Sequence, residues 1–182
     1  FGSSVLATAN VLMAACLAEG TTVIEHAAME PHIEDLANFL IAMGAKIEGV
    51  GSSRLTVEGV TSMRGAEHEV VPDAIEAGTF LVAGALMKSP IRIANIRLAH
   101  LFSVVDKLRE IGVELKRIDN NIVEVIPTDQ LKAVEITTMP YPGFPTDMQS
   151  QFMTLLSRAE GTSIITEKVF PDRFMTAGEL NR

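Results

Sequence analysis

Apolar positions recur along the chain with two periods, and the periods alternate. In EPHIEDLANFLIAMG (30–44), Ile33, Leu36, Phe39, Leu40 and Met43 share one helical stripe, with Pro31 near the start and Gly44 as the stop. AHLFSVVDKLREIG (99–112) does the same through Leu101, Val104, Val105, Leu108 and Ile111, ending at Gly112. Each helix is followed by two short strands around a tight turn. The pairs are AKIEGV and RLTVEG around GSS, and VELKRI and NIVEVI around Asp119-Asn120. Three further runs read as helices: TANVLMAACLAE, EAGTFLVAGALM and DMQSQFMTLLSRAE. The first two are apolar nearly all round, which predicts helices buried on every side. Each leads into a β-branched strand: TTVIEHA, PIRIANI or TSIITEKV.

These elements repeat. AEGTTVIE (18–25) returns as AEGTSIITE (159–167), with a weaker middle copy in MKSPIRIANI (87–96). Aligned on Gly20, Ser89 and Gly161, the copies are spaced by 69 and 72 residues. The matched unit is helix–strand–helix–strand–strand, present twice in full and once truncated at GELNR. In sheet-first order it is a βαβαββ unit, an α/β arrangement in which parallel strands joined through a helix cross over right-handedly. Pro72 interrupts the chain before VPDAIEAG, where Asp73 can cap a new helix with Glu76 three residues on. The expected division is therefore 1–71, holding one repeat, and 72–182, holding about one and a half.

Composition narrows the function classes. The net charge of −8 argues against a nucleic-acid binder, which needs basic residues to neutralise phosphates. The longest apolar run, Val11 to Ala18, is far short of the roughly 20 residues that span a bilayer. No basic region precedes an apolar stretch at the N-terminus, so no secretory leader is read there. A single cysteine, Cys16, cannot pair internally, and a reducing cytoplasmic setting is expected. With no His or Lys nearby, Cys16 reads as a buried, inert thiol.

Candidate chemistry concentrates in TTMPYPGFPTDMQSQF (137–152). Three prolines and a glycine impose irregular backbone directly before a helix, and Asp147 sits in its first turn. Two readings stand: a carboxylate placed for chemistry, or a capping arrangement with Thr146 as cap, Gln149 closing a capping box and Asp147 complementing the helix dipole. His26, His32, His68 and His100 have no metal-ligand spacing and no companion cysteines. GVGSS (49–53) lies between strands, as a hairpin turn rather than a phosphate loop. No cofactor is implied.

The repeat, VPDAIEAGTFLVAGA, and above all FPTDMQSQF followed by RAEGTSIITEKVFPDRF resemble the enolpyruvyl transferases, specifically the UDP-N-acetylglucosamine 1-carboxyvinyltransferase (MurA) family. The resemblance runs from Ser3 to Arg182. The wider group, including EPSP synthase, shares the βαβαββ repeat but matches these two motifs poorly. The resemblance implies an inside-out α/β barrel with helices inside and sheets outside. This chain would be a partial, middle portion: the last unit of one globular domain, then about half of the second.

The implied activity is transfer of enolpyruvyl from phosphoenolpyruvate to the 3′-hydroxyl of UDP-N-acetylglucosamine, the first committed step of peptidoglycan precursor synthesis. Asp147 matches the family's proposed general base. Ser3, Ser4 and Val5 match its nucleotide diphosphate loop, and Val169 a residue whose backbone meets the sugar nucleotide. Phe170 and Arg173 lie beside that site; Arg173 either offers charge to the ligand or pairs with a neighbouring carboxylate. Leu6, Ala74, Tyr141 and His32 depart from the usual Gly, Arg, His and Glu.

The family's reactive loop cysteine, its N-terminal lysine and its phosphoenolpyruvate-clamping arginines match nothing in this sequence. The remaining segments of the same protein are therefore expected partners, and no turnover is expected from this chain alone. Self-association through exposed apolar surface is also expected. The alternatives are a non-catalytic module of the same fold, which Leu6 and Ala74 would suit, and another enolpyruvyl transferase such as EPSP synthase.

Overall fold

Ser4 opens the first helix, α1 (Val5–Ala15): its hydroxyl oxygen accepts from the Ala7 amide, occupying one of the unpaired N–H groups of the first turn. In the computed structural model, which describes residues 3–182, α1 leads into β1 (Thr21–Glu25). Helix α2 (Pro31–Ala42) and the hairpin β2 (Lys46–Glu48) and β3 (Arg54–Glu58) follow. The sheet order is β1-β3-β2, and both outer strands run antiparallel to β3. Leu12, Cys16, Ala37, Leu40, Leu55 and Val57 form the core between helices and sheet. Residues 60–71 return along α2: the Arg64 amide donates to Met43 O, and His68 Nε2 lies 3.0 Å from Asp35 Oδ1.

The chain resolves into two compact units, Phe1–Val71 and Pro72–Arg182. In the second, Asp73 caps α3 (Ala74–Leu86), its Oδ1 accepting from the Ile75 and Glu76 amides. Strand β4 (Ile91–Ala94), a 3-10 turn (Leu98–Leu101), α4 (Phe102–Ile111), β5 (Glu114–Asp119) and β6 (Ile122–Ile126) repeat the first pattern. The sheet order is again edge-centre-edge, β4-β6-β5. The third copy supplies β7 (Glu135–Thr137), a 3-10 turn (Thr146–Met148), α5 (Gln149–Leu156), β8 (Ile164–Thr166) and α6 (Met175–Leu180). Strands β7 and β8 pair in parallel, with α5 in the connection between them. The α4 stripe read from the sequence is buried throughout, at Leu101, Val104, Val105, Leu108 and Ile111.

The backbone repeats as the sequence does. Gly44 and Gly112 both end their helices in the left-handed region, at φ 108° and 104°, where a side chain would be strained. His26 and Asn95, each directly after the first strand of its copy, adopt φ 56° and 55°. The helix-to-strand corner is where the copies part. Gly20 and Gly161 take φ 86° and 98°, but in the middle copy the left-handed residue is Lys88 rather than the aligned Ser89. There α3 closes with a tight C-terminal cap, the Ser89 amide donating to Gly84 O and Met87 to Ala83 O. The left-handed residue thus stands two residues past α3 but five past α1 and α5, and only the first and third copies place a glycine there.

Two expectations are corrected. Neither α1 nor α3 is buried all round: Leu6, Val11 and Met13 on α1 and Leu17 just past it are exposed, and Phe80 is half exposed on α3. A helix with apolar residues on every side carries no amphipathic asymmetry to say which side is covered; α1 packs on α2 and the β1–β3 sheet and leaves the opposite side open. The second hairpin turns at Asn120–Asn121, because β5 extends through Asp119 after an irregularity between Arg117 and Asp119.

Phe152 on α5 is fully buried and meets Phe144 edge-on, with ring centroids 4.8 Å apart at 85°. Phe152→Ala is expected to cost about 3–5 kcal/mol in chemical denaturation, the usual cost of removing a core aromatic. Cys16 is buried, its thiol donates to Leu12 O at 3.2 Å, and burial pushes its pKa up. A disulfide reagent such as DTNB should therefore label Cys16 only after denaturant is added; rapid labelling of native protein would contradict this burial.

Candidate active site

The loop between β7 and α5 is held at both ends. The Met139 amide donates to Phe144 O, Gly143 to Pro140 O, and Ser103 on α4 donates its hydroxyl to Gly143 O. The Tyr141-Pro142 bond within it is cis. After Pro145 the chain enters the 3-10 turn that carries Thr146, Asp147 and Met148. Met148 is fully buried, and its sulfur and methyl lie against Gly78 on α3, where an added Cβ would meet them at 3.0 Å. That anchor turns the neighbouring Asp147 outward to solvent.

The capping arrangement is not formed. Pro145 precedes the 3-10 turn with no side-chain cap, and the Thr146 hydroxyl donates instead to Glu167 Oε2 at 2.9 Å. Gln149 is fully buried, taking the Ser150 hydroxyl on its Oε1. The Thr146 hydroxyl acts as a donor to a carboxylate, and such a charge-assisted bond is roughly twice as strong as the neutral bond a cap oxygen would accept from a helix amide.

Glu167, directly after β8, collects four donors. Its Oε1 accepts the Thr138 hydroxyl at 2.6 Å and the amides of Val169 and Phe170 at 2.8 and 3.0 Å. Burial alone would raise its pKa, but the hydrogen bonds from Thr138, Phe170, Val169 and Thr146 outweigh it and hold the carboxyl below the usual glutamate range. The Thr138 hydroxyl oxygen in turn accepts the Lys168 amide at 2.9 Å. Glu167 was not singled out by sequence reasoning. The repeat contains its one pointer: it stands six residues beyond the aligned corner, where the other copies have His26 and Asn95 in the left-handed conformation.

Arg173 comes back over this turn. Its Nη1 donates to Asp147 Oδ1 at 2.7 Å and to Thr146 Oγ1 at 3.0 Å, while the guanidinium lies 4.8 Å from the Phe170 ring centre. The pair is partly exposed, with side-chain exposures of 34% for Arg173 and 58% for Asp147. Such pairs contribute only about 0–1 kcal/mol, so a ligand hydroxyl can displace Arg173 from Asp147 at little cost. Thr146, Asp147, Ser150, Arg173, Met175 and Thr176 line an open cleft of about 240 Å³. Whole small-molecule pockets run from roughly 300 to 1,000 Å³, so this cleft can receive part of a ligand.

Of the residues expected at the site, Asp147, Val169, Phe170 and Arg173 thus come together in the second unit through Glu167 and Thr146. Ser3, Ser4 and Val5 lie in the first unit at the start of α1, where Leu6 is 75% exposed.

Residues 2–182 match the family described as EPSP synthase (3-phosphoshikimate 1-carboxyvinyltransferase). The chain belongs to this family. Its fold is the partial EPSP synthase-like α/β fold of repeated units, and it is similar throughout to the enolpyruvyl transferase NikO from Streptomyces tendae. That structure superposes with a TM-score of 0.87 at 29% identity, covering 96% of this chain and 42% of that one. Among curated relatives, the UDP-N-acetylglucosamine 1-carboxyvinyltransferase of Halothermothrix orenii is 53% identical over 179 residues, 98% of this chain. The one numbered 1 in Halalkalibacterium halodurans is 54% identical over 179 residues. The chain spans 40–43% of the length of these two relatives. Among the described residues, no helix is long and apolar enough to cross a membrane.

Thr138→Val tests the carboxylate cluster. It removes one donor from Glu167 and leaves the Lys168 amide without its acceptor, an expected loss of about 1–3 kcal/mol in unfolding free energy near neutral pH. Because the folded-state pKa of Glu167 is lowered, its stabilisation is complete above the ordinary glutamate value of about 4.3 and is lost as pH falls through the lowered value. The stability gap between wild type and Thr138→Val should therefore hold constant at higher pH and narrow on acidification below about 4. A gap that widened there would contradict the assignment.

Proposed function

We propose that this chain contributes the acceptor-activating part of an enzyme that transfers enolpyruvyl from phosphoenolpyruvate to the 3′-hydroxyl of UDP-N-acetylglucosamine. The observation that carries the reading is the pairing of Asp147 with Arg173 at a polar cleft, beside the Val169–Phe170 backbone. The names borne by relatives at 53% and 54% identity support the choice of substrates.

In this mechanism Asp147 accepts the hydroxyl proton as the oxygen adds to C2 of phosphoenolpyruvate and C3 takes up a proton. Loss of inorganic phosphate and of a C3 proton then restores the double bond, giving the enolpyruvyl ether. Arg173 leaves Asp147 as the hydroxyl arrives and stays near enough to face the sugar nucleotide. The backbone of Val169 and the adjacent Phe170 border the sugar. Ser3, Ser4 and Val5 offer hydroxyl and amide groups to the diphosphate at the start of α1, an eleven-residue helix whose dipole favours an anion there. The remaining segments of the protein supply the cationic groups that hold phosphoenolpyruvate, and the product enters peptidoglycan precursor synthesis in the cytoplasm.

The test completes this chain with the remaining segments of the Halothermothrix orenii relative and follows phosphate release with both substrates. Asp147→Asn, which keeps the shape and removes the base, is expected to lower kcat by about 10²–10⁴-fold. Undiminished turnover would remove Asp147 from the chemistry. The description of the family favours a second acceptor, shikimate 3-phosphate. Turnover with it, and none with UDP-N-acetylglucosamine, would replace the acceptor and leave the reaction type standing.

A further inference from the structure

We propose that Glu167 is the positioning residue of this site: its carboxylate locks the Val169–Phe170 backbone to the turn that carries Asp147. The proposal rests on the functional reading above only for what the lock is used for; the lock itself is a matter of geometry.

Two segments distant in sequence and the turn that follows Glu167 itself converge on one side chain. Thr138 at the end of β7, Thr146 in the 3-10 turn, and the amides of Val169 and Phe170 all donate to Glu167. The two carboxylate oxygens divide the work. Oε1 holds Thr138 and both amides; Oε2 holds Thr146 alone. The Thr146 oxygen also accepts from Arg173 Nη1, and the same nitrogen donates to Asp147 Oδ1. A continuous path therefore runs from the Val169 and Phe170 amides through Glu167, Thr146 and Arg173 to Asp147. It contains one cation between two anions.

Each link constrains the next. A neutral amide at 167 cannot accept on both ends: its NH₂ group must face either the two backbone amides or the Thr146 hydroxyl. In the first case Val169 and Phe170 lose their acceptor. In the second, both amides keep their acceptor and the Thr146 oxygen can accept from the NH₂ group as it does from Arg173, so a glutamine can retain much of the lock; an alanine, which offers no acceptor, cannot. Residue 168 adds no substitute, because its amide is taken by Thr138. The Arg173–Asp147 pair is too exposed to hold the turn by itself. Placement of the base relative to the sugar-facing backbone thus falls to Glu167, and misplacement of about 1 Å at a reacting group can cost up to about 10²-fold in rate.

Glu167→Ala, which removes both carboxylate oxygens, is tested in two ways. In this chain without substrate, backbone amide exchange followed by NMR should become about tenfold faster or more at Val169 and Phe170. Exchange at Ile136 and Val125 in the core strands should stay unchanged. In the completed enzyme, the same substitution should raise KM for UDP-N-acetylglucosamine about tenfold and lower kcat about tenfold. KM for phosphoenolpyruvate should stay within about twofold, because its clamps lie in other segments. A substitution that merely reduced the amount of folded enzyme would lower the maximal rate and move neither KM. Thr146→Val, which cuts the path without touching the charge, should reproduce the change in kcat while leaving the Val169 and Phe170 amides protected.

Unchanged exchange at both amides in Glu167→Ala overturns the lock. So does unchanged KM for the sugar nucleotide in an enzyme that Asp147→Asn inactivates. If the completed wild-type enzyme shows no turnover, the functional reading fails instead, and the exchange measurement alone decides whether Glu167 holds this loop.

Discussion

Helix α3 has glycine where its neighbours come closest, and the second unit is built on that closeness. An added Cβ at Gly84 would meet Val125 of β6 at 3.2 Å, and one at Gly78 would meet Met148 at 3.0 Å. Alanines at 77 and 85 flank these glycines, while Leu81 and Val82 supply the bulk of the buried face between them. At the two glycines a sheet and a neighbouring turn approach the helix backbone, and dispersion contacts fall steeply with even a small radial gap. Met148 fills this space, and Asp147 is its neighbour in the chain. The depth of one residue in the core therefore sets the height of the other at the surface.

The polar cluster is the second layer of the same construction. Thr138 is buried at the end of β7, and Glu167 stands just past β8; the parallel pairing of these strands brings the two residues together. A carboxylate at the end of a parallel pair can reach donors from both strands and from the helix that joins them. Here it reaches all three, counting the turn that starts α5. The charge is compensated by hydrogen bonds rather than by a cation in contact, which leaves Arg173 free to face outward to Asp147.

Much of the fold was legible in the sequence because periodicity reports covered faces directly. The α4 stripe, the glycine stops at 44 and 112 and the Asp73 cap each rest on local chemistry that distant residues do not override. Helix α1 was misread because a uniformly apolar helix has no polar side to mark the solvent. At the candidate site, a motif marks Asp147 and the Val169–Arg173 run, whereas nothing local marks Glu167. A glutamate after a strand has no local signature; what distinguishes it is donors 29 and 21 residues away in sequence, brought close by the parallel pairing. Thr146 misled for the same reason, since a cap and a bond to a distant carboxylate use the same hydroxyl.

The middle copy of the corner carries a further consequence. Where its siblings swing through a glycine five residues past the helix, it closes early on Lys88, with the amides of Met87 and Ser89 returned to the helix they leave. In the first two copies, two different closures deliver the next strand to the same edge of the same kind of sheet. In a tandem architecture this separates route from destination: the linkage between layers can be rewritten in one module without disturbing the others, so duplicated modules are free to specialise while the scaffold they share stays in register.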